Sequence, residues 1–135
     1  MNPETRNWLA GAEYDLETAG HMLATGRCIY VVFMCHLAVE KVLKALVCEA
    51  TNASPPRTHD LDRLLGMTSA ALEPPLAQFV TQLSQASVTT RYPDDLARMV
   101  SQYPAAVAQT YLERTREVIA CLKADPRLQP SSPAT

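Results

Sequence analysis

Three side chains spaced by four residues form the first group that could do chemistry. His36, Glu40 and Lys44 recur at i, i+4 and i+8, so on a helix they share one stripe. In one interpretation Glu40 and Lys44 are a surface ion pair worth about 0.3–0.5 kcal/mol. In the other, Glu40 lies in the partly buried mouth of a helical bundle and pairs with His59 or Arg91. His36 belongs to an apolar run and is interpreted as a core or interface histidine.

A polar segment downstream contributes His59. Thr58, His59 and Asp60 are typical of a helix start, with Thr58 as the cap and Asp60 as an acid in the first turn. The same residues could also serve a site, because histidine titrates near neutral pH and a neighbouring carboxylate favours its charged form. We therefore retain His59 as a functional candidate and Asp60 as a supporting residue.

A second polar segment contributes Arg91 and Tyr92. The guanidinium of Arg91 is a planar fork suited to phosphate or carboxylate, and Tyr92 could stack on a base. Alternatively, Arg91 and Tyr92 hold their own segment onto Glu40 or Asp60. The sequence leaves both interpretations open.

Convergence of Lys44, His59 and Arg91 beside Glu40 would create a cationic pocket for the phosphate of a nucleotide or RNA. Cleavage of RNA by acid–base chemistry would require an acid and a base on opposite sides of the phosphodiester. His59 is the one evident candidate for either role, so the residues favour binding over catalysis.

The elements that must position these residues are helices. Residues 28–39 are almost continuously apolar, which predicts a helix over 28–50 inside a bundle. Before it, a cap at Asn2 and an apolar stripe predict a first helix that ends at Gly26 and pairs with the second as an antiparallel hairpin. The stripe comprises Leu9, Ala12, Leu16, Ala19 and Leu23.

The rest of the chain predicts shorter helices between polar segments. A short third helix begins after Thr58, a fourth covers 76–86, a polar loop covers 87–94, and a turn of helix reaches Val100. A last long helix runs from Pro104 to about Lys123. The fold class is therefore all-α: an up-down bundle of four long or medium helices plus a short helix, with one domain over 1–125 and a disordered tail over 126–135.

Composition excludes several classes of function. The chain has 135 residues and a net charge of −2, so no basic excess indicates non-specific nucleic-acid binding. The apolar run is shorter than the roughly 20 residues that span a bilayer, and the polar N-terminus predicts a cytoplasmic protein. None of the four cysteines forms a C-x-x-C pair and no Cys/His pairs have the spacing of zinc ligands, so no metal site is expected. No cofactor is predicted.

Four segments stand out by their order and spacing: Asp15-Leu16 with Ala19, the run 36–46 (HLAVEKVLKAL), the run 55–61 (PPRTHDL) and the run 90–94 (TRYPD). Together they resemble the HEPN family of small helical bundles. The resemblance covers residues 8–123, and the order and spacing of the segments make it specific.

This resemblance implies a fold of four or five helices, usually dimeric, and a frequent partnership with a small nucleotidyltransferase encoded nearby. It also implies association with nucleotides and, in several branches, metal-independent RNA cleavage by an Arg followed four to six residues later by a His. Here each upstream Arg lies outside that spacing: Arg6 precedes His21 by fifteen, Arg27 precedes His36 by nine, and Arg57 precedes His59 by two.

We therefore expect an interaction module associated with a nucleotide or RNA, forming a homodimer and pairing with a nucleotidyltransferase in a toxin–antitoxin-type system. The resemblance also makes Tyr92 a residue that such a partner could modify. The first alternative is a metal-independent RNase with a non-standard site around His59 and Arg91. The second is a purely structural scaffold.

Overall fold

The computed structural model describes residues 1–130, and within them every regular element is a helix. The all-α bundle predicted from the sequence is confirmed. Four long helices form its body, two short ones join them, and a 3-10 turn follows. Their bounds are α1 Pro3–Ala24, α2 Cys28–Thr51, α3 Leu61–Thr68, α4 Pro74–Arg91, α5 Leu96–Gln102, α6 Ala105–Lys123 and the 3-10 turn Pro126–Leu128.

The central element is α2, which packs against α1, α3, α4 and α6. Its residues are apolar on nearly every face, and most side chains from Ile29 to Cys48 are buried. A helix this apolar would favour a dimer if its neighbours in the chain left much of its surface uncovered. The other helices of the same chain do cover it, so that argument for a dimer fails.

The hairpin of α1 and α2 starts and turns where the sequence predicts. Asn2 caps α1, its side-chain oxygen accepting a hydrogen bond from the backbone N–H of Thr5 at 2.8 Å. Gly26 adopts φ +77°, a conformation that an L side chain rarely takes, and so allows the reversal into α2.

The fourth helix is longer than predicted. It continues through Arg91 instead of ending at Ala86. The hydroxyls of Ser87 and Thr90 donate to the carbonyls of Ser84 and Ala86, both at 2.9 Å, so these polar side chains are satisfied against the helix itself. Arg91 is consequently placed by a helix and not by a loop.

Two terminal assignments also differ from the prediction. Asp60, not Thr58, caps α3, because its carboxylate accepts from the N–H of Arg63 at 3.1 Å. In contrast to the predicted tail over 126–135, Pro126–Leu128 form a 3-10 turn in which Leu128 is buried and Arg127 donates to the Thr68 carbonyl. The remainder of that prediction, over 131–135, lies outside the described residues.

None of the helices within residues 1–130 has both the length and the apolar character needed to cross a bilayer.

Candidate functional site

The site is built around the buried carboxylate of Glu40 on α2. Only 3% of this residue is exposed. Its Oε1 accepts a hydrogen bond from His59 Nδ1 at 2.7 Å, and its Oε2 lies 3.2 Å from the ammonium of Lys44. Of the two interpretations of Glu40, the geometry matches the buried one, in which the carboxylate links α2 to the segment before α3.

His36 lies one helical turn before Glu40 and is fully buried. Its Nε2 bonds to the backbone carbonyl of His59 at 3.0 Å, so this nitrogen is the donor and carries a proton. Its Nδ1 has no hydrogen-bond partner and lies 3.8 Å from Glu40 Oε1. Burial lowers the pKa of His36 below its ordinary value, and the Glu40 carboxylate opposes this shift without cancelling it.

His59 presents its ring to solvent, with 61% of the side chain exposed. Because Glu40 is an acceptor, the neutral ring carries its proton on Nδ1 and leaves the Nε2 lone pair free. A histidine held in this way by a buried carboxylate has one fixed orientation and one nitrogen available to a ligand.

An open cleft of about 580 Å³ lies between the start of α3 and the second half of α4. Ser84, Val88 and Arg91 recur at i, i+4 and i+7, so one face of α4 forms a wall of the cleft. The cleft is also lined by His59, Asp60 and Asp62 near the start of α3, by Gln85 and Ser87 of α4, and by Tyr92 directly after α4.

Arg91 is the cation of this cleft that has no carboxylate partner among residues 1–130. Its guanidinium carbon lies 4.9 Å from the centre of the Phe33 ring, and its Nε is buried without a hydrogen-bond partner. The Phe33 ring therefore contacts the guanidinium at cation–π distance, and no carboxylate of residues 1–130 neutralises its charge. No ion pair with Glu40 or Asp60 forms. Tyr92 follows as the C-cap of α4 and is 83% exposed.

Lys44 does not line the cleft. Its ammonium is held by Glu40 and lies 5.2 Å from the centre of the Trp8 ring on α1. Of the three cations expected to converge beside Glu40, the structure thus brings His59 and Arg91 into one cleft and turns Lys44 toward α1.

Five residues that line the cleft were not predicted from the sequence: Asp62, Ser84, Gln85, Ser87 and Val88. The contact of Phe33 with Arg91 was not predicted either. The spacing of Ser84, Val88 and Arg91 is typical of one helix face, but the predicted fourth helix ends at residue 86 and so excludes two of the three residues. Nothing local to Phe33 indicated that an arginine 58 positions later would stack on it.

Within residues 1–130, no group of three or more His, Cys, Asp or Glu side chains is arranged to hold a metal ion. The side chains that line the cleft supply one guanidinium, one oriented imidazole, one exposed phenol, two carboxylates, two serine hydroxyls and one amide.

Comparisons with known proteins agree with this architecture. A family model described as the HEPN domain matches residues 5–125. The crystal structure of TT1696 from Thermus thermophilus aligns with a TM-score of 0.77 at 24% identity, covering 91% of this chain and 98% of that one. The crystal structure of an archaeal HEPN homologue gives 0.71 at 22% identity, covering 88% and 94%. At these identities the two structures establish a common fold. No curated protein sequence matches the chain.

Proposed function

Because the chain belongs to the HEPN domain family, we propose that the cleft between α3 and α4 binds the phosphate of a nucleotide. The observation that carries this proposal is Arg91. Its guanidinium is supported by Phe33 and lies in the cleft with no carboxylate bound to it. Hydrogen bonds from a guanidinium to phosphate are charge-assisted and bidentate, so this is the natural contact for an anionic group.

The charges of the cleft favour a mononucleotide over an RNA strand. A strand is bound by several cations along its backbone, whereas this cleft holds one uncommitted arginine and two aspartates. A single phosphate bound at Arg91 needs only one cation, which is the number of uncommitted arginines in the cleft. The free lone pair of His59 can accept a hydrogen bond, and the carboxylates of Asp60 and Asp62 can accept from ribose hydroxyls. Exposed Tyr92 is available to stack on the base.

Calorimetric titration with AMP tests the proposal. Arg91→Gln should weaken binding at least about tenfold, because a charge-assisted hydrogen bond contributes about 1.5–3 kcal/mol. Arg114→Gln is the matched control, since Arg114 is half exposed on α6 and outside the cleft. Equal loss in both variants would contradict a site at Arg91. Absence of binding to the wild-type protein would contradict a nucleotide site in the cleft.

A second candidate, metal-independent RNA cleavage, is supported by the pairing of His59 with buried Glu40. A carboxylate that fixes one imidazole nitrogen leaves the other free to transfer a proton. Incubation of labelled RNA without metal, with the wild type beside His59→Gln, decides this candidate. Cleavage lost in the variant would establish catalysis, and no cleavage in either would eliminate it.

The family membership and the exposure of Tyr92 support a further part of the proposal, a partner. The chain would act in the cytoplasm as the non-catalytic partner of a small nucleotidyltransferase that is encoded next to it. The two proteins would form a toxin–antitoxin-type pair. Co-expression with that neighbour should yield a stable complex. If the partner transfers a nucleotide to the chain, intact mass should rise in the wild type and stay unchanged in Tyr92→Phe. A neighbouring reading frame of another class would contradict the pairing.

Exposed apolar side chains support a homodimer. Tyr30, Leu96 and Val100 are each about half exposed and surround a groove of about 190 Å³ beside Cys28. A two-fold contact through this surface would cover the outer face of α5, which has no buried residue of its own. Light scattering should give a dimer for the wild type and a monomer for Leu96→Glu. A monomeric wild type would refute it.

A further inference from the structure

His36 is a buried titratable group that nucleotide binding does not use directly. Its side chain is 0% exposed and cannot touch a ligand in the cleft. Its Nε2–H donates to the His59 carbonyl at 3.0 Å, which joins the middle of α2 to the segment that leads into α3. A buried polar group with one specific long-range bond requires an explanation.

His36 and His59 both have a ring nitrogen near Oε1 of Glu40. His59 Nδ1 lies 2.7 Å from Glu40 Oε1, and His36 Nδ1 lies 3.8 Å from that atom. Because the proton of neutral His36 is on Nε2, its Nδ1 offers no donor and leaves Oε1 to His59 alone. His59 is thus held twice from α2: its carbonyl by His36 and its ring by Glu40.

We infer that His36 is a positioning residue, which fixes the backbone of His59 so that the His59 ring keeps Nδ1 on Glu40 and directs Nε2 away from it. The charged and titratable groups facing His36 are Glu40 on its own helix, His59 from the segment before α3, and Arg91 from α4. The inference deepens the proposed function, and its effect on affinity rests on that function.

Two amide variants of His36 test the inference. In His36→Gln the terminal NH₂ lies near the position of the ring Nε2 and can still donate to the His59 carbonyl. In His36→Asn the side chain is one methylene shorter and cannot reach it. Since both variants bury the same amide, a difference between them reports the lost bond and not the polarity of the substitution. Melting curves check that both fold.

The first readout is the nitrogen chemical shifts of the His59 ring, which report where its proton lies and require no nucleotide. We expect His36→Gln to keep the proton on Nδ1 and His36→Asn to give averaged shifts. The second readout is AMP affinity, which should be unchanged in the first variant and about fivefold weaker in the second, as expected for one lost hydrogen bond. In the wild type, the proton on His36 Nε2 should exchange slowly with water.

The ring shifts and the proton exchange rate can each contradict the inference. Wild-type ring shifts in both variants, or altered shifts in both, would overturn the inference. So would rapid exchange of the His36 Nε2 proton, a measurement that stands even if a variant does not fold. If the wild type binds no AMP while the ring shifts separate the two variants, the proposed function fails and the positioning role remains.

Discussion

Replacement of Glu40 by glutamine should destabilise the protein by about 3 kcal/mol. The change keeps the volume and the acceptor oxygen of the side chain but leaves the ammonium of Lys44 without a counter-charge. The Lys44 side chain is 8% exposed, so water replaces little of the lost interaction. Removing one partner of a buried pair costs about 3–5 kcal/mol. We expect the lower end because Lys44 retains the Trp8 ring, 5.2 Å away.

Urea denaturation followed by circular dichroism measures this cost. With a slope of about 1.5 kcal/mol per molar urea, 3 kcal/mol lowers the midpoint by about 2 M. Two controls isolate the buried charge. Glu117→Gln breaks the half-exposed pair with Arg114 and should cost less than about 0.5 kcal/mol. The double variant Glu40→Gln/Lys44→Met removes both charges and should recover most of the lost stability.

A cost for Glu40→Gln no larger than that for Glu117→Gln would refute the reasoning. The pair would then behave as a surface ion pair, and Glu40 could not be the anchor of the candidate site. Failure of the double variant to recover stability would refute it as well, because the loss would then come from His59 or from packing and not from the unpaired ammonium.

Three further predictions follow from burial and backbone geometry. Burial lowers the pKa of His36 below its ordinary value of 6.5. The free energy of unfolding should therefore fall as the pH drops below 6.5 toward the pKa of the folded state, because the unfolded chain then binds a proton that the folded protein does not. Urea titrations across pH should show a smaller fall in His36→Gln. Burial raises the pKa of Cys35 to about 11, so mass spectrometry after iodoacetamide treatment at pH 8 should find exposed Cys121 alkylated and Cys35 unmodified. Gly66→Ala, in α3 with open space around its Cα, should raise the free energy of unfolding by about 0.8 kcal/mol, whereas Gly26→Ala, at φ +77°, should lower it by about 1 kcal/mol.

The sequence predicted the parts of the fold that depend on local signals. The cap at Asn2, the glycine turn and the apolar run of α2 each have a local physical cause, and each lies where expected. The end of α4 did not follow from local signals. Residues 87–94 are mostly polar and predict a loop, but in α4 the hydroxyls of Ser87 and Thr90 bond to carbonyls of the helix, and tertiary packing buries both residues.

In the candidate site, too, some contacts follow from the sequence and others depend on how the helices pack. Glu40 and His59 were expected as one possible pair, and the structure forms it. The direction of Lys44 could not be predicted, because the spacing of Glu40 and Lys44 fits a buried pair as well as an exposed one. The ammonium of Lys44 lies over the ring of Trp8, which belongs to α1 and is distant in sequence. The support of Arg91 by Phe33 likewise depends on how α4 crosses α2.

The match over residues 5–125 confirms the resemblance drawn from the sequence. The cleft differs from the Arg-then-His pattern of the cleaving branches, because its arginine and histidine come from two separate elements. Arg91 ends α4 and His59 precedes α3, and packing of both elements on α2 brings them together.

The most direct test of a nucleotide site at this cleft is chemical-shift mapping. Uniformly ¹⁵N-labelled protein titrated with AMP should show saturable changes at the backbone amides of Ser84, Val88 and Tyr92, with none along the exposed face of α6. Changes spread over the whole surface, changes confined to α5 and α6, or no change at millimolar AMP would contradict the assignment of the cleft as the site.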